Sequence, residues 1–234
     1  MVEVNDYAGK DPDIETLLLA PLDWDLTGDE PTVLIFHTHA SESYTKTEQY
    51  TESSQYRTLN EEYNVISVGE QVAQLLEQQG ICVLHDKSLH DYPSYNGSYS
   101  NSRASVEKYL QDYPSIRLVL DVHRDAMVDS MGKQIGYTVD TEKGKAAKVM
   151  LVVGGNNTAW KENMSLAVKL QARLETLCPG ICRPISLRKS KFNQQLSPGA
   201  ILIEMGAAGN TRQEALVAAE YVAEAVLSLS QGAR

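Results

Sequence analysis

The sequence predicts an α/β fold, a single domain with a mainly parallel central sheet and helices on both faces. Short continuous apolar runs, rich in β-branched residues, read as buried strands at 32–37, 81–84, 116–122, 149–153 and 200–204. Between them lie stretches whose apolar residues recur at helical spacing. Strands alternating with helices are the pattern of parallel strands joined by crossover connections.

Residues 1–30 show no clear periodicity beyond the apolar patch Leu17–Leu22 and read as a lead-in segment to one domain spanning 31–234. The first strand carries Val33-Leu34-Ile35-Phe36. Residues 45–60 are rich in Thr, Ser, Gln and Tyr and read as a loop. A helix is predicted over 64–79, with Val65, Val68, Val72, Leu75 and Leu76 on one face, stopped by Gly80. After the 81–84 strand, the Tyr/Ser/Gly-rich stretch 85–101 reads as a loop and 102–111 as a helix turning Val106 and Leu110 inward. A long amphipathic helix is expected over 160–177, closed by Pro179-Gly180, and a last one over 212–229.

The 42% hydrophobic content of the 234 residues is enough to bury a substantial core. A net charge of −10 without basic clusters argues against a nucleic-acid partner, since Arg188-Lys189-Ser190-Lys191 is the densest basic stretch. No run approaches the ~20 apolar residues that span a bilayer, and the polar, acidic N-terminus does not read as a signal peptide. Cys178 and Cys182 have no second Cys/His pair of matching spacing, so they read as thiols near a helix end, with a disulfide as the alternative, and Cys82 reads as core.

Open α/β sheets collect chemistry at the carboxyl ends of their strands. Here the first strand runs into His37 and His39, with Glu42 beyond; the third runs into Asp121 and His123; the last runs into Glu204. Two imidazoles, a carboxylate and an open position suit a catalytic zinc ion, with a further carboxylate to take a proton from water. Singly, each residue has a plainer reading: a hydrogen-bonded histidine, as for His85 and His90, or Glu204 paired with Arg124 or Arg212.

Seven blocks, in order, resemble the stage II sporulation protein P family: HTHASESY (37–44), NVISVGEQVAQLLEQQGI (64–81), HDYPSYNGSYSNSR (90–103), LDVHRDA (120–126), VVGGNN (152–157), FNQQLSP (192–198) and ILIEMGAAGN (201–210). Its members are cell-wall hydrolases of endospore-forming bacteria, related to zinc-dependent N-acetylmuramoyl-L-alanine amidases. The resemblance implies zinc held by His39, Glu42 and His123, with Glu204 as proton acceptor. It implies Arg124 at the oxyanion, Arg124 and Asp125 supporting a ligand, and Asn193, Gln194 and Tyr95 binding substrate. Tyr92, Tyr95, Tyr99 and Arg103 are expected in a loop forming a groove wall. Other zinc amidases take their ligand glutamate from the start of the following helix, where this chain has Glu61 and Glu62; His37 is an alternative residue supporting a ligand from behind. The resemblance further implies cleavage of the N-acetylmuramoyl-L-alanine amide of peptidoglycan, with stem-peptide cross-links as a second target, during engulfment. Expected partners are stage II sporulation protein D, a lytic transglycosylase, and a membrane protein of the same complex. The expected location is the outer face of the membrane at the sporulation septum, reached by an N-terminal anchor absent from this chain. The rival readings are a zinc deacetylase acting on amino sugars and an inactive peptidoglycan-binding module.

Overall fold

The crossover pattern resolves into a seven-stranded sheet in the computed structural model, which describes residues 2–22, 24–48 and 55–232. In chain order the elements are β1 (Val4–Asp6), α1 (Ile14–Leu19), β2 (Val33–Phe36), α2 (Val65–Glu77), β3 (Val83–His85), α3 (Ser98–Asp112), β4 (Leu118–Asp125), β5 (Thr138–Thr141), β6 (Gly144–Ala147), β7 (Val149–Gly154), α4 (Trp160–Leu177), β8 (Ile185–Arg188), β9 (Ala200–Ala207) and α5 (Arg212–Gly232). The strand order is β1-β8-β7-β9-β4-β2-β3. Every neighbouring pair is parallel except β7 with β9, and β5 and β6 form a separate antiparallel hairpin.

The central strands are buried on both faces, as their unbroken apolar runs require. Val33, Ile35, Leu118, Leu120, Val122, Leu151, Ile201 and Ile203 join the apolar faces of α2, α4 and α5 in the main core. Leu34, Phe36, Val119 and Ala200 point the other way and meet Val106, Tyr109 and Leu110 of α3. Period-two alternation therefore puts Asp121 and His123 on the α3 face of the sheet, beyond its apolar part.

The predicted helices at 64–79, 160–177 and 212–229 are present, the first capped by the Asn64 side chain, which accepts from Ile66 N at 3.0 Å. The strands read at 81–84 and 116–122 lie slightly later, at Val83–His85 and Leu118–Asp125, and one helix boundary is corrected as well. Helix α3 begins at Ser98, four residues before the predicted start, so Tyr99 and Arg103 lie on a helix rather than in a loop. The Ser/Tyr/Asn composition of that first turn concealed it, because such residues equally favour turns. The predicted 45–60 loop lies partly outside the described residues, at 49–54.

The lead-in segment contributes directly to the domain. β1 pairs with β8, α1 packs on α4, and Leu17, Trp24 and Leu26 are buried in the main core. All three cysteines are free thiols. Among the described residues no helix is long and apolar enough to cross a membrane.

One glycine fixes the approach of α2 to the sheet. A Cβ on Gly69 would stand 2.7 Å from the His37 ring, so only glycine lets the helix pass over that imidazole. Gly69→Ala is expected to cost about 1–3 kcal/mol by overpacking, measured by urea denaturation; an unchanged midpoint would show that the ring moves aside freely.

Candidate active site

The carboxyl ends of β2, β4 and β9 converge on one cluster. His39 lies three residues past the end of β2, in a turn where Glu42 N donates to His39 O at 3.0 Å. That turn folds Glu42 back over β4, where it is buried against Arg124 and His123. His123 and Glu204 are direct partners in the β4–β9 register, so the two side chains stand side by side. A register shift between His123 and Asp125 follows at once, and such bulges re-aim side chains near sites.

The His39 and His123 rings lie 5.2 Å apart and perpendicular. His123 Nδ1 is 3.4 Å from Glu42 Oε2, and its Nε2 is 2.8 Å from Asp121 Oδ1, a close contact whose angle falls outside a hydrogen bond. Asp121 is itself fixed, accepting from Thr38 N at 2.8 Å and Thr38 Oγ1 at 2.7 Å. Burial opposes a charge on His123, but the Asp121 and Glu42 carboxylates outweigh it and hold the imidazole well above its usual range. Burial would also raise Glu42, yet the His123 contact and the Arg124 charge bring it down to about 2. His39 is lowered to about 4 by burial, with the His123 charge adding to it. Glu204 moves the opposite way. Burial pushes its carboxyl up to about 8; the His123 charge resists, while Glu42 and Asp125 add to the rise.

Three buried atoms here lack a well-formed hydrogen bond among the described residues: His39 Nδ1 and Glu204 Oε2, which have no partner, and His123 Nε2, which meets only the poorly angled Asp121 carboxylate. Buried polar atoms are rarely left so, and their concentration at one point marks the cluster as a candidate site. Two imidazoles and a carboxylate are the donors a catalytic zinc takes, so the residues fit the ion. Among the described residues no group of three or more His, Cys, Asp or Glu side chains is arranged to hold a metal ion, so the fit is one of donor type. Glu61 and Glu62 are exposed in the turn before α2, whereas Glu42 is 5% exposed within the cluster.

The other expected residues divide. Tyr95 belongs to the site: its ring stacks on His39 at 4.5 Å and its hydroxyl lies 3.1 Å from His39 Nε2. Arg124 instead has its guanidinium taken up, donating to Ser43 O at 2.8 Å and Tyr56 O at 2.7 Å, with Glu42 Oε1 at 3.5 Å. It anchors the Glu42 segment. Asp125 pairs with Arg183 at 2.7 Å. Gln194 is buried with both amide atoms on backbone, accepting from Gly154 N and donating to Val152 O, each at 2.8 Å. Asn193 donates to Tyr99 O at 2.8 Å and Ser102 Oγ at 3.1 Å, tying its loop to α3. His37 faces away from His39, with Nδ1 donating to Val122 O and Nε2 2.8 Å from His85 Nε2. His85 and His90 are held by carboxylates, Glu70 at 2.9 Å and Asp86 at 3.3 Å.

Arg57 went unforeseen. It binds Asp91 at 2.8 Å, reaches Glu42 at 3.6 Å and lies 4.7 Å above the Tyr95 ring. It sits in a polar segment with no local signal, and only the fold brings it to the cluster.

The profile of the family described as Stage II sporulation protein P (SpoIIP) matches residues 3–227. The chain belongs to the stage II sporulation protein P family. The Stage II sporulation protein P of Bacillus subtilis (strain 168) is 31% identical over 94% of this chain, and the chain spans about half of that relative, 54% of its length. Solved amidases share the fold. The CwlD amidase of Clostridioides difficile, in complex with the GerS lipoprotein, has a TM-score of 0.54 at 12% identity, covering 87% of this chain and 100% of that one. An N-acetylmuramoyl-L-alanine amidase of Clostridium difficile 630 has a TM-score of 0.51 at 17% identity, covering 87% and 98%.

Proposed function

We propose that this domain is a peptidoglycan hydrolase that cleaves the amide between N-acetylmuramic acid and L-alanine. The observation that carries the reading is the unpartnered Glu204 carboxylate beside His123 on the adjacent strand, in a cluster with further unsatisfied nitrogens. A zinc ion held by His39, Glu42 and His123 would supply Lewis acidity and make water acidic enough to react near neutral pH. In its ionised form Glu204 takes the proton of the attacking water. As oxygen bonds to the amide carbon and the carbon–nitrogen bond breaks, Glu204 returns the proton to the leaving amine. Asp121 holds the His123 ring in orientation, and the Thr38 bonds hold Asp121. Tyr95, stacked on His39 with its hydroxyl at Nε2, holds that ring in orientation, and the occupied Arg124 anchors the Glu42 segment rather than meeting the oxyanion.

The family name and the amidase fold support this reading. Stem-peptide cross-links are a second target of the same chemistry. Action at the sporulation septum during engulfment, on a membrane-anchored full-length protein working with a lytic transglycosylase and a membrane protein, belongs to the same proposal.

Zinc content and product analysis test it together. The wild type is expected to hold about one zinc per chain and to release muropeptides with a new free amine on L-alanine. His39→Ala, Glu42→Ala and His123→Ala should lose the metal, and Glu204→Gln should keep it. Released acetate would replace the amidase by a deacetylase. Failure to take up zinc at all would leave a binding module.

A further inference from the structure

Beside the cluster lies a cavity of about 370 Å³ lined by Tyr99, Arg103, Lys191, Phe192, Asn193 and Gln195 among others. One ring separates it from the candidate centre, for Tyr99 stands edge-on to His39 at 5.5 Å and 6.1 Å from Phe192.

The wall of this cavity is built with care. Phe192 and Asn193 are consecutive non-glycine residues in the left-handed region, at φ 53° and 56°. That conformation is uncommon for non-glycine residues and persists only where surrounding contacts enforce it. Those contacts are present. The Gln194 amide stitches the loop to the end of β7, and Asn193 ties it to α3. Gly154 admits the chain, since a Cβ there would stand 2.6 Å from Lys191 O and 2.7 Å from Ser190 O. The outcome is a rigid loop that projects the exposed Lys191 beside the half-buried Phe192. Arg103 on α3 adds a second cation, paired at 2.7 Å with Glu107 on the exposed helix surface. Gln195 also lines the cavity, and its Oε1 is buried with no hydrogen-bond partner among the described residues.

We propose that this cavity is the subsite for the acidic peptide arm of the substrate: Lys191 and Arg103 bind its free carboxylate, Gln195 Oε1 accepts a peptide N–H, and Phe192 covers its apolar side. Lys191, with Arg103 beside it sharing its charge with Glu107, favours an anion in a chain of net charge −10, and the unpaired acceptor nearby favours an anion that also offers an N–H. A peptide carries both; a phosphate-rich polymer carries only the first. The subsite rests on the hydrolase reading for its location, but binding can be measured apart from hydrolysis.

The test uses Glu204→Gln protein with zinc added, titrated calorimetrically with a soluble muropeptide and with the same muropeptide after amidation of its carboxylates. The acidic form is expected to bind about tenfold or more tightly than the amidated one, as a charge-assisted hydrogen bond predicts. Lys191→Ala and Arg103→Ala should each lower affinity for the acidic form and narrow that difference. Both side chains are exposed, so the variants should fold. Equal binding of the two forms, or a preference that survives both substitutions, overturns the subsite. Displacement of the acidic muropeptide by an equal concentration of poly(glycerol phosphate) would also overturn it, by making phosphate the anion. Selective binding without hydrolysis by the wild type would instead remove the amidase reading and leave the subsite standing.

Discussion

Glu204→Gln is expected to abolish hydrolysis and, in the metal-free protein, to raise stability at alkaline pH. Loss of a general base lowers the rate by about 10²–10⁴, read as kcat on a soluble muropeptide. The stability effect follows from the environment. Burial pushes the carboxyl from its ordinary value to about 8, so the fold favours the protonated form. That contribution is complete below the unfolded value and is lost as pH rises through about 8. Above that point the wild type carries an unpaired anion among Glu42 and Asp125, while glutamine stays neutral. Thermal melts in chelator should coincide near pH 4 and separate by on the order of 2 kcal/mol at pH 9 in favour of the variant. The side chain keeps some contact with solvent, which makes this less than the full shift would give. A variant less stable than wild type at pH 9 would show that Glu204 has a stabilising partner when ionised.

Arg124→Ala should be the most destabilising single change at the site. Arg124 is 5% exposed, and its guanidinium holds Ser43 O, Tyr56 O and the Glu42 carboxylate at once. Removing one member of a buried pair leaves the other charge uncompensated, at about 3–5 kcal/mol. Two backbone carbonyls lose their donor as well. Glu42→Gln added to Arg124→Ala should recover part of the loss, because it removes the stranded charge. Urea denaturation of the single and double variants checks this, and a single variant within about 1 kcal/mol of wild type would show that Arg57 takes over the role.

Much of this fold was legible because its signals are local. The strands at β2, β4, β7 and β9 are continuous apolar runs, and α2 and α4 carry apolar stripes between recognisable stops. The shorter elements were not legible. β1 and β8 have three and four residues, too few for a period to show, and the β5–β6 hairpin reads as polar chain. At the site, His39, Glu42, His123 and Glu204 could be singled out because each follows an apolar run, and the fold brings the strand ends together. Arg57 could not, since its role depends on a loop folding back across β4. Gln194 misled for the converse reason: a polar residue in a polar block looks available until the backbone groups that occupy it are seen. Arg124 is similar, its charge suggesting chemistry and its burial assigning it to anchoring.

The short strand at the amino end has a consequence outside catalysis. β1 covers β8 with three residues, Val4, Asn5 and Asp6, laid against Ile185, Ser186 and Leu187. A chain trimmed at residue 30 would leave that side of the sheet with an open ladder of backbone donors and acceptors, a template for pairing with another molecule. Those few residues thus leave the sheet an outer edge only three residues long, and a short edge is a poorer template for pairing.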